Sequence, residues 1–134
     1  MGRVVTLTVD TSALIAVIGN EASKDRIIEI TANYSLYAPA SVHWEIGNAF
    51  SAMFKQSKLK LEEAQKGLKI FESIPIQYIK PDFVNTMKIS KQANIYAYDA
   101  YFLDCASRYK APILTLDRKL RSVAQKIKVA IVEV

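Results

Sequence analysis

The sequence is poor in the residues that build several common kinds of site. It contains one cysteine and one histidine in 134 residues, so an intrachain disulfide is impossible and a zinc site of Cys and His side chains lacks its ligands. It has no glycine-rich phosphate loop, which disfavours nucleotide binding. It shows no signal-peptide pattern and no apolar run of the roughly eighteen residues that span a bilayer. These absences predict a cytoplasmic protein without a membrane segment.

The composition is that of a globular domain with an excess of basic residues. Hydrophobic residues make up 51% of the chain and charged residues 23%, and the length predicts a single domain over residues 1–134. The formal net charge is +5. Late in the chain, only Asp117 opposes a run of cations: Arg108, Lys110, Arg118, Lys119, Arg121, Lys126 and Lys128. This bias fits RNA, DNA or an acidic protein as a partner, or else a solvated basic surface.

Strand-like and helix-like segments alternate along the chain. The first strand, 4–9, is almost entirely β-branched or apolar, as in a strand that is buried on both faces. The alternation predicts an α/β fold with a mostly parallel sheet of about five strands and helices on both sides. The predicted strands are 4–9, 36–38, 76–79, 112–116 and 129–132; the predicted helices are 12–18, 23–32, 41–55, 62–73, 83–94, 98–108 and 118–125, with Ser23 and Ser41 as N-caps.

Two acids directly follow apolar strands. Asp10 ends the first predicted strand and Asp117 ends the fourth. Ligands of open α/β sheets bind outside the carboxyl ends of the strands, and parallel strands end at the same edge. If the two strands are neighbours, their carboxylates therefore converge at the edge where a ligand would bind.

Two further acids border the buried faces of helices. Glu45 lies next to the apolar stripe that contains Val42 and Ile46, and Asp99 shares a helix face with Phe102. Simpler interpretations exist for all four acids, because Asp10, Asp99 and Asp117 could cap helices and Glu45 could pair with a lysine. A fifth acid, Asp104, lies roughly 140° around the helix from Asp99, which predicts a solvated surface position.

Four carboxylates in one place would need a counter-charge. At separations of about 5 Å they would repel by roughly 3 kcal/mol per pair in an effective dielectric of about 20. A divalent cation would remove this penalty, and oxygen ligands favour Mg²⁺ or Mn²⁺ over zinc. The pattern of acids therefore favours a magnesium or manganese site.

The motifs around these acids resemble those of a known family. They are Val9-Asp10-Thr11-Ser12, Glu45 on a helix, Tyr98-Asp99-Ala100 opening a helix, and 114–118 after a strand. In this order and setting the chain resembles a PIN domain over essentially its whole length, and within that family it is most similar to the VapC toxins of type II toxin–antitoxin pairs.

The resemblance implies a metal-dependent endoribonuclease that leaves a 5′-phosphate and a 3′-hydroxyl. It implies that one or two Mg²⁺ or Mn²⁺ ions bind to a cluster of catalytic acids, Asp10, Glu45, Asp99 and Asp117. It further implies supporting roles for three polar residues, Ser12, Asn48 and Thr115. The cations that follow the last acid, Arg118, Lys119 and Arg121, either hold the RNA backbone or form a solvated helix face.

The resemblance also implies a homodimer and a VapB-type antitoxin partner. Two alternatives within the family are an RNA-processing nuclease without an antitoxin and a non-catalytic RNA- or protein-binding module. A phosphatase of the haloacid dehalogenase type would need an aspartate where Ser12 stands. Three tyrosines near the acids, Tyr96, Tyr98 and Tyr101, could either stack on bases or pack against the core.

Overall fold

A computed structural model describes residues 5–134. Val4, where the first strand is predicted to begin, lies outside these residues. The strands are β1 (Val5–Val9), β2 (Tyr34–Pro39), β3 (Ile76–Ile79) and β4 (Ile113–Leu114); the helices are α1 (Thr11–Ile18), α2 (Lys24–Thr31), α3 (Val42–Lys55), α4 (Leu61–Ser73), α5 (Phe83–Ala93), α6 (Ala97–Arg108) and α7 (Arg118–Lys126). No helix within 5–134 is both long and apolar enough to cross a membrane.

The four strands form one parallel sheet in the order β3-β2-β1-β4. β1 lies at the centre, where Leu7 pairs with Leu36 of β2 and Val9 pairs with Leu114 of β4. This arrangement confirms the predicted α/β class. It also makes β1 and β4 neighbours, so the segments that follow them leave the sheet side by side.

Side chains of β1 alternate between two helical layers, as the two-residue period of a strand requires. Thr8 faces α6, where its hydroxyl lies 3.9 Å from the Cys105 sulfur. On the opposite face, Val9 meets Leu14 of α1 and Ile27 of α2 around a small cavity. Since both faces of β1 are covered, a continuous apolar run is what this strand needs, and the helices lie on both sides as predicted.

The last strand of the prediction forms only in part. Of the predicted strand 129–132, Ile131 makes a single parallel bridge to Ile113, so the described sheet has four strands rather than about five. β4 is also shorter than predicted. Beyond Leu114 the backbone amides of Leu116 and Asp117 donate to side-chain hydroxyls. The chain therefore leaves the strand ladder at the point where it enters the acid-rich edge.

Two predicted helix caps are absent. Ser23 and Ser41 precede α2 and α3, but neither hydroxyl accepts a capping hydrogen bond. Both residues have helical backbone angles, whereas an N-cap side chain reaches the first amides from an extended backbone. Three aspartates cap helices instead: Asp10 for α1, Asp82 for α5 and Asp117 for α7.

Candidate active site

Four carboxylates from four separate segments come together at the carboxyl edge of the sheet, and we call them the acid edge. Asp10 follows β1, Glu45 lies in the first turn of α3, Asp99 lies in the first turn of α6, and Asp117 precedes α7. Their charges act on one another around a ring: Asp10 with Asp117 and Glu45, and Asp99 with Glu45 and Asp117. The structure thus brings together the four acids that the sequence singled out.

Asp10 is held in place by three donors. The Ser12 hydroxyl lies 2.7 Å from Oδ1 and 2.9 Å from Oδ2 of Asp10, and the Ala13 amide donates to Oδ1 at 3.0 Å. The hydroxyl of Thr115, the residue that follows β4, donates to Oδ2 of Asp10. Asp10 therefore has a fixed orientation, and its role as the N-cap of α1 is compatible with a role in the site.

The two hydroxyls also tie the ends of β1 and β4 together. Ser12 Oγ accepts the amide of Leu116 at 2.9 Å, and Thr115 Oγ1 accepts the amide of Asp117 at 2.9 Å. Because each hydroxyl accepts a backbone N–H, its own hydrogen is directed toward the Asp10 carboxylate. Ser12 and Thr115 thus both orient the Asp10 carboxylate through hydrogen bonds.

Asp10 is only 4% exposed. Burial raises the pKa of its carboxyl group, and the hydrogen bonds from Thr115, Ala13 and Ser12 lower it in part. The negative charge of Asp117 raises this pKa further. A cation at this edge would relieve both the desolvation of Asp10 and its repulsion from Asp117.

Glu45 is the acid with the clearest unsatisfied ligand atom. Its Oε2 is buried and has no hydrogen-bond partner among the residues that the structure describes, and the same is true of Thr11 Oγ1. Burial, followed by the charges of Asp99 and Asp10, raises the pKa of Glu45 to about 7. The nearby Thr11 hydroxyl lowers this pKa somewhat, although the two groups do not meet hydrogen-bond geometry. Within 5–134, Glu45 makes no ion pair with a lysine, so that simpler interpretation is wrong.

Asp99 and Asp117 complete the acid edge. Asp99 does not cap α6, since the N-cap position belongs to Tyr96. Burial and the charge of Asp117 raise the pKa of Asp99, while the positive charge of Lys119 lowers it. Asp117 is exposed and caps α7, accepting the amides of Lys119 and Leu120 at 2.8 and 3.1 Å. Asp117 thus has a capping role, whereas Asp99 has none that would explain its position.

The residues of the acid edge fit a hard divalent cation in their chemistry. All the candidate ligand atoms are carboxylate oxygens, as Mg²⁺ and Mn²⁺ prefer, and one of them is buried without a partner. Among residues 5–134, no three Asp, Glu, His or Cys side chains are grouped tightly enough to hold a metal ion as they stand. The fit rests on the type of donor, the burial and the mutual charge of the acids.

The other predicted site residues are either exposed or paired with another part of the chain. Asn48 is exposed, one turn after Glu45, and nothing ties its side chain to the acid edge. Arg118 and Lys119 are exposed at the start of α7. Arg121 pairs with Glu133 at 3.1 Å, so it is partly neutralised within the chain.

Asp104 is not a surface acid, and the prediction that placed it there is wrong. Its side chain is fully buried and accepts the Asp82 amide at 3.0 Å and the Asn85 side-chain amide at 2.8 Å. Arg108 Nε and Nη2 donate to its two oxygens at 2.8 and 3.0 Å. The start of α5 and the loop before it cover this side of α6, so Asp104 joins two elements instead of facing water.

Sequence reasoning missed Thr11 and Trp44. Thr11 directly follows the strand-end acid, and this adjacency is the only signal for it in the sequence. Trp44 precedes Glu45 in α3, and its side chain is 64% exposed. It lines a groove of about 510 Å³ with Tyr98 and Tyr101, whereas Tyr96 lies at a different recess. Exposed aromatic residues therefore stand next to two of the acids in the sequence, Trp44 beside Glu45 and Tyr98 beside Asp99.

The stability of the metal-free protein is expected to fall as the pH rises from about 4.5 to about 7. A carboxyl group with a raised pKa binds more protons in the folded state than in the unfolded state, so stability is greatest below the unfolded pKa. Thermal melts with a chelator should show this slope, with Asp10 contributing in the same direction. Glu45→Gln should flatten it and exposed Glu62→Gln should not. Equal slopes in the two variants would show that Glu45 is not the source.

Comparisons with known proteins agree with the observed fold. A family model described as the PIN domain matches residues 7–126. The crystal structure of PAE2754 from Pyrobaculum aerophilum is 21% identical with a TM-score of 0.72, covering 95% of this chain and 83% of that one. A chain in the crystal structure of VapBC2 from Rickettsia felis, a complex bound to a DNA fragment from its promoter, is 19% identical with a TM-score of 0.67. The match covers 96% of this chain and 97% of that one. The comparison with curated proteins gave no match.

Proposed function

The chain belongs to the PIN domain family, and from that premise we propose that it is a metal-dependent endoribonuclease acting through the acid edge. The observation that carries this proposal is the meeting of four carboxylates from four segments at the carboxyl edge of a parallel sheet. Capping explains Asp10 and Asp117 but not the other two acids: within 5–134, Glu45 keeps a buried oxygen without a hydrogen-bond partner, and Asp99 caps no helix.

Asp10, Glu45, Asp99 and Asp117 are the proposed catalytic ligands of one or two Mg²⁺ or Mn²⁺ ions. When bound, such an ion lowers the pKa of water and offsets the charge that develops on the scissile phosphate. Ser12 and Thr115 orient Asp10 through the hydrogen bonds described above. Water attacks phosphorus in line and the bond to the 3′-oxygen breaks, which leaves a 5′-phosphate and a 3′-hydroxyl after that oxygen takes up a proton.

The proposed RNA contacts lie just beyond Asp117. Arg118 and Lys119 are exposed and stand next to the acid edge, so they can bind backbone phosphates without reading the sequence. Arg121 is a weaker candidate because Glu133 already pairs with it. Asn48 keeps a minor proposed role, since it is exposed one turn beyond Glu45.

We propose further that the protein acts as the toxin of a VapBC-like pair, as a homodimer held inactive by a VapB-type antitoxin. The support is the similarity in fold to VapBC2 from Rickettsia felis, over 97% of that chain.

The test is cleavage of a mixed small-RNA pool by the purified protein with Mg²⁺, with Mn²⁺ and with EDTA. Cleavage is expected only with a metal, and the downstream fragments should carry a 5′-phosphate that a ligase can join. Equal cleavage in EDTA would contradict the metal dependence. Intact RNA with both metals would contradict the nuclease itself.

A further inference from the structure

A small recess beside the acid edge has the chemistry to hold a base. It has a volume of about 280 Å³ and is lined by Asn94, Ile95, Tyr96 and Lys119. The Lys119 amide donates to Asp117 Oδ1 at 2.8 Å, so the recess lies beside the acid edge, where the positive charge of Lys119 also acts on Asp99. It therefore combines an aromatic ring, an amide and a cation within reach of the site where a phosphate would be cut.

The exposure of Tyr96 is not explained by packing. Its side chain is 83% exposed, and in the described part of the chain its ring makes no aromatic contact. Tyr98 and Tyr101, in contrast, contact each other with ring centroids 6.2 Å apart. An aromatic ring that faces water leaves a large apolar surface available for a ligand. The sequence-based alternative that these tyrosines pack is thus wrong for Tyr96.

The backbone that presents Tyr96 is firmly held. Ile95 is buried beneath the recess, its amide donates to the Ser90 carbonyl at 3.2 Å, and the Ser90 hydroxyl donates to the Ile95 carbonyl at 2.6 Å. Asn94 closes α5 in a left-handed conformation, with φ of 54° and ψ of 53°. The turn therefore presents Asn94 and Tyr96 from defined positions, and little order has to be gained when a ligand binds.

We propose that this recess binds one unpaired nucleobase of the RNA beside the scissile phosphate. Tyr96 stacks on the face of the base, the Asn94 amide bonds to its edge, and Lys119 binds the adjoining phosphate. The proposal rests on the ribonuclease function proposed above. If the recess binds a base in this way, Tyr96 and Asn94 select where the RNA is cut, because contacts to phosphates do not distinguish one position of the RNA from another.

Binding of short oligonucleotides tests the recess without cleavage. The probes are fluorescein-labelled oligoadenylate, oligouridylate and a base-free sugar–phosphate chain of equal length, and every protein carries Asp10→Asn. Tyr96→Ala should weaken binding of the two natural probes about tenfold, and Tyr96→Phe should retain it. The base-free chain should bind the Tyr96→Ala protein and its parent equally. That probe separates stacking from a change in the fold.

The matched control is Phe54→Ala, which removes another exposed ring. Phe54 is 39% exposed in the last turn of α3, about 14 Å from Glu45 by helix rise, and lines neither the recess nor the groove of Trp44. Its removal should leave binding of all three probes unchanged. Equal affinity of the Tyr96→Ala protein and its parent for both natural probes would overturn the proposal, as would a parent that binds neither.

A second arm separates this inference from the nuclease proposal. In the chain with Asp10 intact, Tyr96→Ala should change the preferred cut positions in the RNA pool, while Phe54→Ala should not. Cleavage with an identical cut pattern in Tyr96→Ala would overturn the recess and leave the nuclease standing. Loss of probe binding in Tyr96→Ala, together with intact RNA in the parent, would support a base-binding recess and refute the nuclease.

Discussion

Replacing Asp10 by Asn should lower the rate of RNA cleavage at least a hundredfold while the protein stays folded. Even residues that only orient a metal ligand cost about 10- to 100-fold in metal affinity or activity when they are changed, and a direct ligand should cost more. Asn retains the shape of the side chain and can still accept the Ala13 amide. It also relieves the burial of a charge, since Asp10 is 4% exposed. Initial rates and thermal melts measure the two effects separately.

The controls for this experiment come from the same network and from the surface. Ser12→Ala removes a donor to Asp10, not a ligand, so its loss of rate should be smaller. Asp25→Asn removes an exposed carboxylate from the first turn of α2 and should leave the rate unchanged. An Asp10→Asn protein that cleaves within a few-fold of the parent would remove Asp10 from the proposed metal ligands.

The second large effect is on stability: Asp104→Ala should lower the free energy of unfolding by about 3 kcal/mol. The substitution leaves the Asn85 side-chain amide, the Asp82 amide and the Arg108 guanidinium without their shared acceptor. These donors join the start of α5 to α6, so their loss weakens a tertiary contact as well as an ion pair. Denaturant titration measures the change.

A second Arg–carboxylate pair provides the comparison. Arg26 and Glu29 pair at 3.3 Å on the surface, with side chains 56% and 73% exposed. Glu29→Ala should therefore cost less than about 1 kcal/mol. Similar costs for Asp104→Ala and Glu29→Ala would contradict the buried network. Asp104→Asn, which would have little effect at a solvated surface position, should also destabilise the protein, since the amide cannot accept both Arg108 donors at its two ends.

The sequence predicted the acid edge because its signals are local. An acid at the end of an apolar strand, as at Asp10, needs no knowledge of distant contacts to be recognised. The pairing of β1 with β4, which the sequence left open, then brings the side chain of Asp117 to the same edge as Asp10. The polar contacts of Thr115 were predictable only through the family resemblance, since a threonine in an apolar strand carries no special pattern.

The failures occur where a tertiary contact overrides a local pattern. The angle of Asp104 on α6 predicted a solvated side chain, but the loop before α5 covers that side of the helix. The one local indication of a partner was Arg108, four residues later on the same helix. Segment 129–132 has the composition of a strand, yet only Ile131 pairs with the sheet. Ser41 has the residue type of a cap but not the backbone angles. None of these outcomes can be predicted from the neighbouring residues alone.

Calorimetric titration of Mn²⁺ into the purified protein is the most direct test that the acid edge is a metal centre. Above pH 7, where Glu45 is ionised, the protein should bind one or two ions saturably, and Asp10→Asn should bind them much more weakly. Affinity should fall as the pH drops below 7, because Mn²⁺ must then displace the proton on Glu45. No saturable binding above pH 7, or equal binding by the Asp10→Asn variant, would contradict the metal centre.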